Sequence, residues 1–299
     1  LNQRSGRSFN DLTQYPIFPW IITDYTSKTI DLKDPNIYRD LSKPVGALNP
    51  VRLKKIQKRY NEMPNDNKFM YGSHYSTPGY VMYFLVRQCP ELMLRFQNGK
   101  FDAPDRLFSS ILRCWESAYE SLTDVKELIP QFYTGNGSFL LNKNNLKFGL
   151  RTDKIEVHNV ELPKWAKGKP SNLIKILRNA LESEYVNNNI HKWIDLIWGY
   201  KQTGKHAERA FNLFYYLTYE GAVNIDEIKD QNELDAITMQ IHEFGQTPSQ
   251  LFNKPHPKKG DIIMNDMDNN NETKTNVDSY IDLRLLGNNN IAQNTQEMK

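Results

Sequence analysis

The sequence predicts a mainly α-helical fold built on a core of buried, irregular extended segments, with few β-strands. Two observations carry this expectation. From Asn49 onward, apolar residues recur every three or four positions behind recognisable helix caps. Before that point, residues 1–48 are rich in aromatic residues and prolines but show neither helical nor strand period.

In "YPIFPWIITDY", Pro16 and Pro19 stand three positions apart. Proline fixes φ and lacks an N–H, so this segment cannot lie inside a helix or a central strand. Tyr15, Phe18, Trp20, Ile21, Ile22 and Tyr25 are nonetheless too apolar to face water, which leaves extended backbone buried in the core. Such backbone needs polar side-chain partners, and Asn10, Asp11, Asp24, Asp40 and Ser42 are the expected suppliers.

Helices follow in order. Asn49 caps a helix with Pro50 at its first position and Leu53, Ile56, Tyr60 and Met63 on one face. Thr77 and Pro78 repeat the device before "GYVMYFLVRQC", which is apolar all round and therefore central. Pro90 opens a short helix ending near Gly99. An amphipathic helix is expected from about Pro104, carrying Leu107, Phe108, Ile111, Leu112, Trp115, Ala118, Tyr119 and Leu122. The strand signals worth naming are "SFLLN" and "LKFGL" between 138 and 150. Ser171 is expected to cap a helix bearing Leu173, Ile174, Leu177, Leu181 and Tyr185, and Ile190, Trp193, Ile194, Ile197 and Trp198 mark another. Asp230 with Glu233 resembles a capping box before Leu234, Ile237, Ile241 and Phe244, and Gly245 ends that helix. Thr247 and Pro248 start one more turn.

Composition sets the bounds. The 299 residues are 39% hydrophobic and 12% aromatic, enough for a sizeable core, and no apolar run approaches the length of a membrane span. Residues 260–299 hold seven acids and three bases, leaving 35 bases against 28 acids before them, a net charge of +7. That is short of a nucleic-acid binder's usual signature, so no nucleic-acid partner is expected. The same last segment contains nine asparagines and few aromatics, the composition of a disordered linker, so the fold is expected to end near Lys259. Cys89 and Cys114 lie in apolar helices and read as free thiols of a reducing, cytoplasmic setting. No signal peptide opens the chain, and its start at Leu1 reads as that of a fragment.

The chemistry is sparse. The six histidines and two cysteines form no zinc spacing, and neither a phosphate-binding loop nor a nucleophile elbow is present, so no cofactor or metal is expected. Ser73, His74 and Ser76, just before a helix N-terminus, are the best enzymatic candidates, although a polar turn under the central helix accounts for them as well. Arg52, Lys54, Lys55, Lys58 and Arg59 form a basic face that would suit anionic lipid, or simply water. In the last segment, "DSYIDL" at 278–283 is an aromatic-x-x-Leu element suited to adding as a strand to a partner's sheet.

The chain resembles the BEACH domain along nearly all of residues 1–259. "RSGRSFNDLTQYPIFPWIITDY" is similar to the family's opening signature and "RDLSKPVGALN" to its next block. "YGSHYSTPGYVMYFLVR", "DVKELIPQFY", "ELPKWA", "HKWIDLIWGYKQTG", "LTYEGAV" and "EFGQTPSQLFNKPHPKK" follow in the family's order. The wording of "KPVGALN" and "YGSHYS" is most similar to the subgroup named for the factor associated with neutral sphingomyelinase activation. The resemblance implies a core of irregular extended segments ringed by helices, and a non-enzymatic scaffold in membrane traffic, lysosome-related processes, autophagy or receptor signalling. It implies packing against a preceding PH-like domain, WD repeats that follow the domain in the chain, and a cytoplasmic place peripheral on endomembranes. It transfers no catalytic residue. Asn10, Asp11, Tyr15, Pro16, Pro19, Trp20, Asp40, Ser42, Lys43 and Pro44 match its signature and are assigned to the fold or to a partner groove.

Overall fold

A computed structural model of the chain describes residues 1–64 and 68–260. The acidic, Asn-rich stretch from 261 and the 278–283 element lie outside the described residues. Helix dominates, and the pairings between extended segments are isolated bridges rather than sheets among the described residues. The helices are α1 (Pro50–Glu62), α2 (Pro78–Leu85), α3 (Pro90–Phe96), α4 (Ile111–Glu120), α5 (Pro170–Leu181), α6 (Glu184–Ile197), α7 (Gly204–Arg209) and α8 (Gln231–Phe244).

The N-terminal segment is extended and buried. Tyr15, Ile17, Trp20, Ile21, Ile22 and Tyr25 are all in the main core, where the Trp20 ring lies 5.3 Å from Trp115 and 5.9 Å from Tyr25. Its backbone is satisfied piecemeal. Phe18 exchanges both hydrogen bonds with Leu128 at 2.9 Å, Thr23 N–H donates to the Ile37 carbonyl at 2.8 Å, and Arg39 N–H donates to Ile21 at 2.9 Å.

The side chains that serve this backbone are not the expected ones. Asp11, Asp24 and Asp40 instead fold their own exposed turns, accepting from Thr13, from Thr26 and Ser27, and from Ser42 respectively. Asn10 is exposed and only its backbone N–H bonds, to Ser8 Oγ. The partners are the half-buried Asn2, which brackets Ile17 through its N–H and carbonyl at 2.9 and 3.0 Å, and the buried Glu127, which accepts from Trp20 N–H at 3.1 Å. Short acids two residues before a hydroxyl are turn formers first, which is why they stay at the surface.

Glu127 is the hub of the interior. Its carboxylate takes the Arg39 guanidinium at 2.7 Å and the Trp193 indole N–H at 3.1 Å, with both ionic side chains all but inaccessible to water. Arg39 also donates to the Lys43 carbonyl at 3.0 Å. Segments around 20, 39, 127 and 193 are thereby fixed to one charge pair. The ends of the domain are clasped as well, since Arg7 donates to the Tyr15 carbonyl at 2.6 Å and to that of Gln246, and Ser249 N–H donates to Ser5 at 3.3 Å.

Several local expectations are corrected. The amphipathic helix begins at Ile111, because Ser110 caps it and residues 107–110 run extended, with Ser109 and Ile111 exchanging hydrogen bonds with Glu161 at 2.8 and 3.0 Å. "SFLLN" forms a 3-10 turn (Ser138–Leu140) that plugs Phe139 and Leu140 into the core, and "LKFGL" contributes only one bridge, Leu150 to Glu156. Pro170 rather than Ser171 opens α5, and Tyr185 belongs to α6, whose cap is Ser183. Thr247 and Pro248 stay extended because Thr247 N–H is taken by the Thr218 carbonyl at 2.7 Å.

A satellite core of Val86, Met93, Leu107, Phe148 and Val157 lies apart from the main one. Arg87 staples the two, donating to the His158 and Phe108 carbonyls at 2.7 and 2.5 Å with its guanidinium 5.2 Å from the Phe148 ring centre.

Candidate functional site

Between the main and satellite cores runs a groove of about 520 Å³. Its floor is α2, where Thr77 accepts from Tyr80 N–H at 3.2 Å and Pro78 sets the first turn, so that Tyr80 and Tyr83, three positions apart, face it together. One wall is α3, of which only Met93 is fully buried while Phe96 is 58% exposed. The other wall is the start of α4 with the segment 124–126, and the 102–106 turn closes the end.

Lys126 sits at the base with 4% exposure, its Nζ 5.4 and 5.2 Å from the centres of the Tyr80 and Tyr83 rings and paired with Asp124. Burial opposes its charge, but Cys114, the Asp124 carboxylate and Tyr80 outweigh that and hold the ammonium above its ordinary pKa. The other ions are likewise committed. Arg106 bonds Asp102 at 2.8 Å through Nε, Arg113 meets Asp153 at 3.1 Å, and Asp105 accepts from Thr152 at 2.8 and 3.0 Å. Among the described residues, Asp105 is the lining carboxylate without a cation partner, and the rest of the lining offers aromatic, thioether and hydroxyl contact.

Ser73, His74 and Ser76 do not assemble into catalytic machinery. His74 is fully buried, and burial, followed by the Arg7 charge, drives its pKa well below 6.5. Its Nδ1 accepts the Ser76 backbone N–H at 3.2 Å, the Ser76 hydroxyl accepts from Arg7 at 3.0 Å, and the Ser73 hydroxyl points to the Thr123 carbonyl at 3.3 Å. The three form the polar turn beneath α2.

The basic face of α1 is smaller than the sequence suggests. Arg52 is buried, with its guanidinium on the Ala118 and Asp124 carbonyls, and Arg59 is half-buried against the Met70 carbonyl. Both serve as long arms that satisfy carbonyls at the ends of other segments, so neither belongs to the exposed face. Lys54, Lys55 and Lys58 are exposed, and together with Val51 they form one stripe at helical spacing.

The signature residues divide by burial. Tyr15, Pro16, Pro19, Trp20 and Pro44 are buried, whereas Asn10, Asp11, Asp40 and Lys43 are exposed and Ser42 is half-buried. Asp40 and Lys43 pair with each other at 3.2 Å on the surface, directly after the buried Arg39. The groove residues Tyr80, Tyr83, Phe96 and Lys126 were not singled out as a site from sequence. They come from three separate segments, and although Tyr80, Tyr83 and Lys126 fall inside blocks that resemble the family, no local spacing marks them as a site.

Comparison with known proteins places the chain. A family model described as "Beige/BEACH domain" matches residues 1–259. The BEACH domain-containing protein lvsD of Dictyostelium discoideum is 50% identical over 263 residues, which make up 87% of this chain and 9% of that protein. BEACH domain-containing protein B of Arabidopsis thaliana is 49% identical over 267 residues, 88% of this chain and 10% of that protein. The chain therefore spans about a tenth of the length of these relatives.

Proposed function

Because the chain belongs to the BEACH family, we propose that residues 1–259 act as a non-enzymatic protein-interaction module. The observation that carries this reading is the family match over the whole of that span. The geometry supports it, since the polar groups of the interior are spent on holding irregular backbone and the large groove presents contact surface rather than reactive groups. Within the family, the similarity of "KPVGALN" and "YGSHYS" favours the subgroup of the factor associated with neutral sphingomyelinase activation. The role we propose is a cytoplasmic scaffold in membrane traffic, lysosome and autophagy-related processes or receptor-coupled signalling, acting beside a PH-like domain and WD repeats. The exposed signature residues Asp40 and Lys43 are suited to the PH-like contact, because they lie at the surface on backbone that Arg39 and Glu127 make rigid. Co-expression of this chain with a PH-like segment from a family member should yield a complex that survives size-exclusion chromatography. Independent elution of the two would count against the reading.

A second reading is favoured by the stripe of Val51, Lys54, Lys55 and Lys58 on α1. An exposed aliphatic side chain among three exposed lysines suits the surface of an anionic membrane, each lysine contributing about 1 kcal/mol near the headgroups. Sedimentation with phosphatidylserine vesicles should weaken with salt and on combined Lys54→Glu, Lys55→Glu and Lys58→Glu substitution. Binding unchanged by both would remove it.

A further inference from the structure

We propose that a small cavity beside the Arg39–Glu127 pair is the binding site of one internal water molecule, which ties the signature block around Arg39 and Pro44 to Tyr75 and to Asn212. Three observations lead to it.

Three orphaned polar atoms belong to the wall of one cavity. Arg39, Tyr75 and Asn212 are 1%, 4% and 1% exposed, and all three line it. Arg39 Nε, the Tyr75 hydroxyl and Asn212 Oδ1 have no hydrogen-bond partner among the described residues. A buried polar atom left alone is costly, and folded proteins pair nearly all such atoms with protein groups or with ordered water.

None of the three side chains is free to turn elsewhere. The Arg39 guanidinium is pinned at its two terminal nitrogens, by Glu127 at 2.7 Å and by the Lys43 carbonyl at 3.0 Å, so Nε keeps its direction. The Asn212 amide nitrogen donates to the Leu196 and Lys201 carbonyls at 2.9 and 3.0 Å. Flipping that amide would set its oxygen against two other oxygens. The Tyr75 ring lies 3.6 Å from the His74 ring and 5.1 Å from that of Phe214, while its backbone carbonyl accepts Glu127 N–H at 3.0 Å. Rotation about the C–O bond is what the phenol has left.

Size and charge select the ligand. The cavity holds about 10 Å³, close to the sphere of one water and too small for an organic molecule. Arg39 and Glu127 neutralise each other at its edge, so an ion would be buried there without a counter-charge. Water is neutral and both donates and accepts. It can accept from Arg39 Nε–H and from the Tyr75 hydroxyl, which burial keeps protonated, and donate to Asn212 Oδ1. Three bonds are the ordinary number for a buried water. Val45, Val125, Leu196 and Ile197 supply apolar wall that offers no competing side-chain partner.

The test takes the full 299-residue chain. Crystals diffracting to about 1.8 Å should show one ordered water within about 3.2 Å of all three atoms. Tyr75→Phe keeps the ring and removes one of the water's partners, so in urea unfolding the folding constant should fall about fivefold. A dry cavity would reverse the sign, because deleting an unpaired buried hydroxyl favours the folded state. Three outcomes would each overturn the proposal: no density joining the three atoms, direct bonds among protein groups that close the cavity, or a Tyr75→Phe variant at least as stable as the parent.

Discussion

At the scale of single residues, the interior depends on a few long polar side chains reaching across the core. Glu127 and Arg39 form a charge pair that water barely reaches, and the remaining lone pairs of the carboxylate are used by Trp20 N–H and the Trp193 indole. A buried pair this fully bonded is costly to break from one side, about 3–5 kcal/mol by removal of one partner. His74 exemplifies a different cost. Its imidazole is held neutral by burial and by the Arg7 charge, so between its lowered pKa and 6.5 the unfolded chain binds a proton that the folded chain does not. Stability from this group is therefore intact above about pH 6.5 and lost as pH falls below it, by up to about 1.4 kcal/mol per pH unit. Urea unfolding at pH 7 and 5 should show a shallower loss for His74→Gln than for the parent chain; His191, also lowered by burial, is present in both and cancels. Equal losses would contradict the account. That the segment around Tyr15 and Trp20 is buried was legible from its apolarity beside prolines, but that Asn2 would bond Ile17 and Glu127 would bond Trp20 was not, because neither position announces a partner 15 or 107 residues away.

At the scale of elements, cap chemistry predicted best. Asn49, Thr77 and Asp230 each accept backbone N–H groups as their side chains and the following residues indicated, and Pro50 and Pro78 occupy first positions. Periodicity misled where tertiary pairing intervened. Leu107 and Phe108 keep helical spacing with Ile111, yet Glu161 claims the backbone of Ser109 and Ile111 and delays the start of α4 to Ser110's cap. Apolar runs at 138–150 read as strands because a short buried run carries no period that separates strand from turn. The 3-10 turn Val45–Ala47 shows how tightly such irregular pieces fit. A Cβ on Gly46 would overlap the fully buried Tyr71 ring, whose hydroxyl is fixed to the Phe211 carbonyl at 2.8 Å. Gly46→Ala should therefore cost about 1–3 kcal/mol in chemical denaturation, although alanine is the better residue for a helical turn. A neutral or stabilising effect would mean that Tyr71 moves aside freely.

At the scale of the molecule, the near-neutral total of +3 conceals a basic domain of 259 residues followed by an acidic stretch, a division visible in composition alone. The family was legible from the ordered motifs, and the match over residues 1–259 bears it out. The groove was not legible, because its walls come from α2, α3, α4 and two connecting segments that only the fold brings together, and its charged residues look in sequence like an ordinary solvated surface. The role proposed for this domain is to hold partners. It is tested most directly by calorimetric titration of the chain with a PH-like segment from a family member, for the parent and for the Asp40→Arg, Lys43→Glu pair. Saturable one-to-one binding is expected, weakened by about tenfold in the surface pair while the fold is kept. Absence of heat and of co-elution at concentrations up to about 100 μM, a range in which interfaces of standard size are saturated, would contradict it.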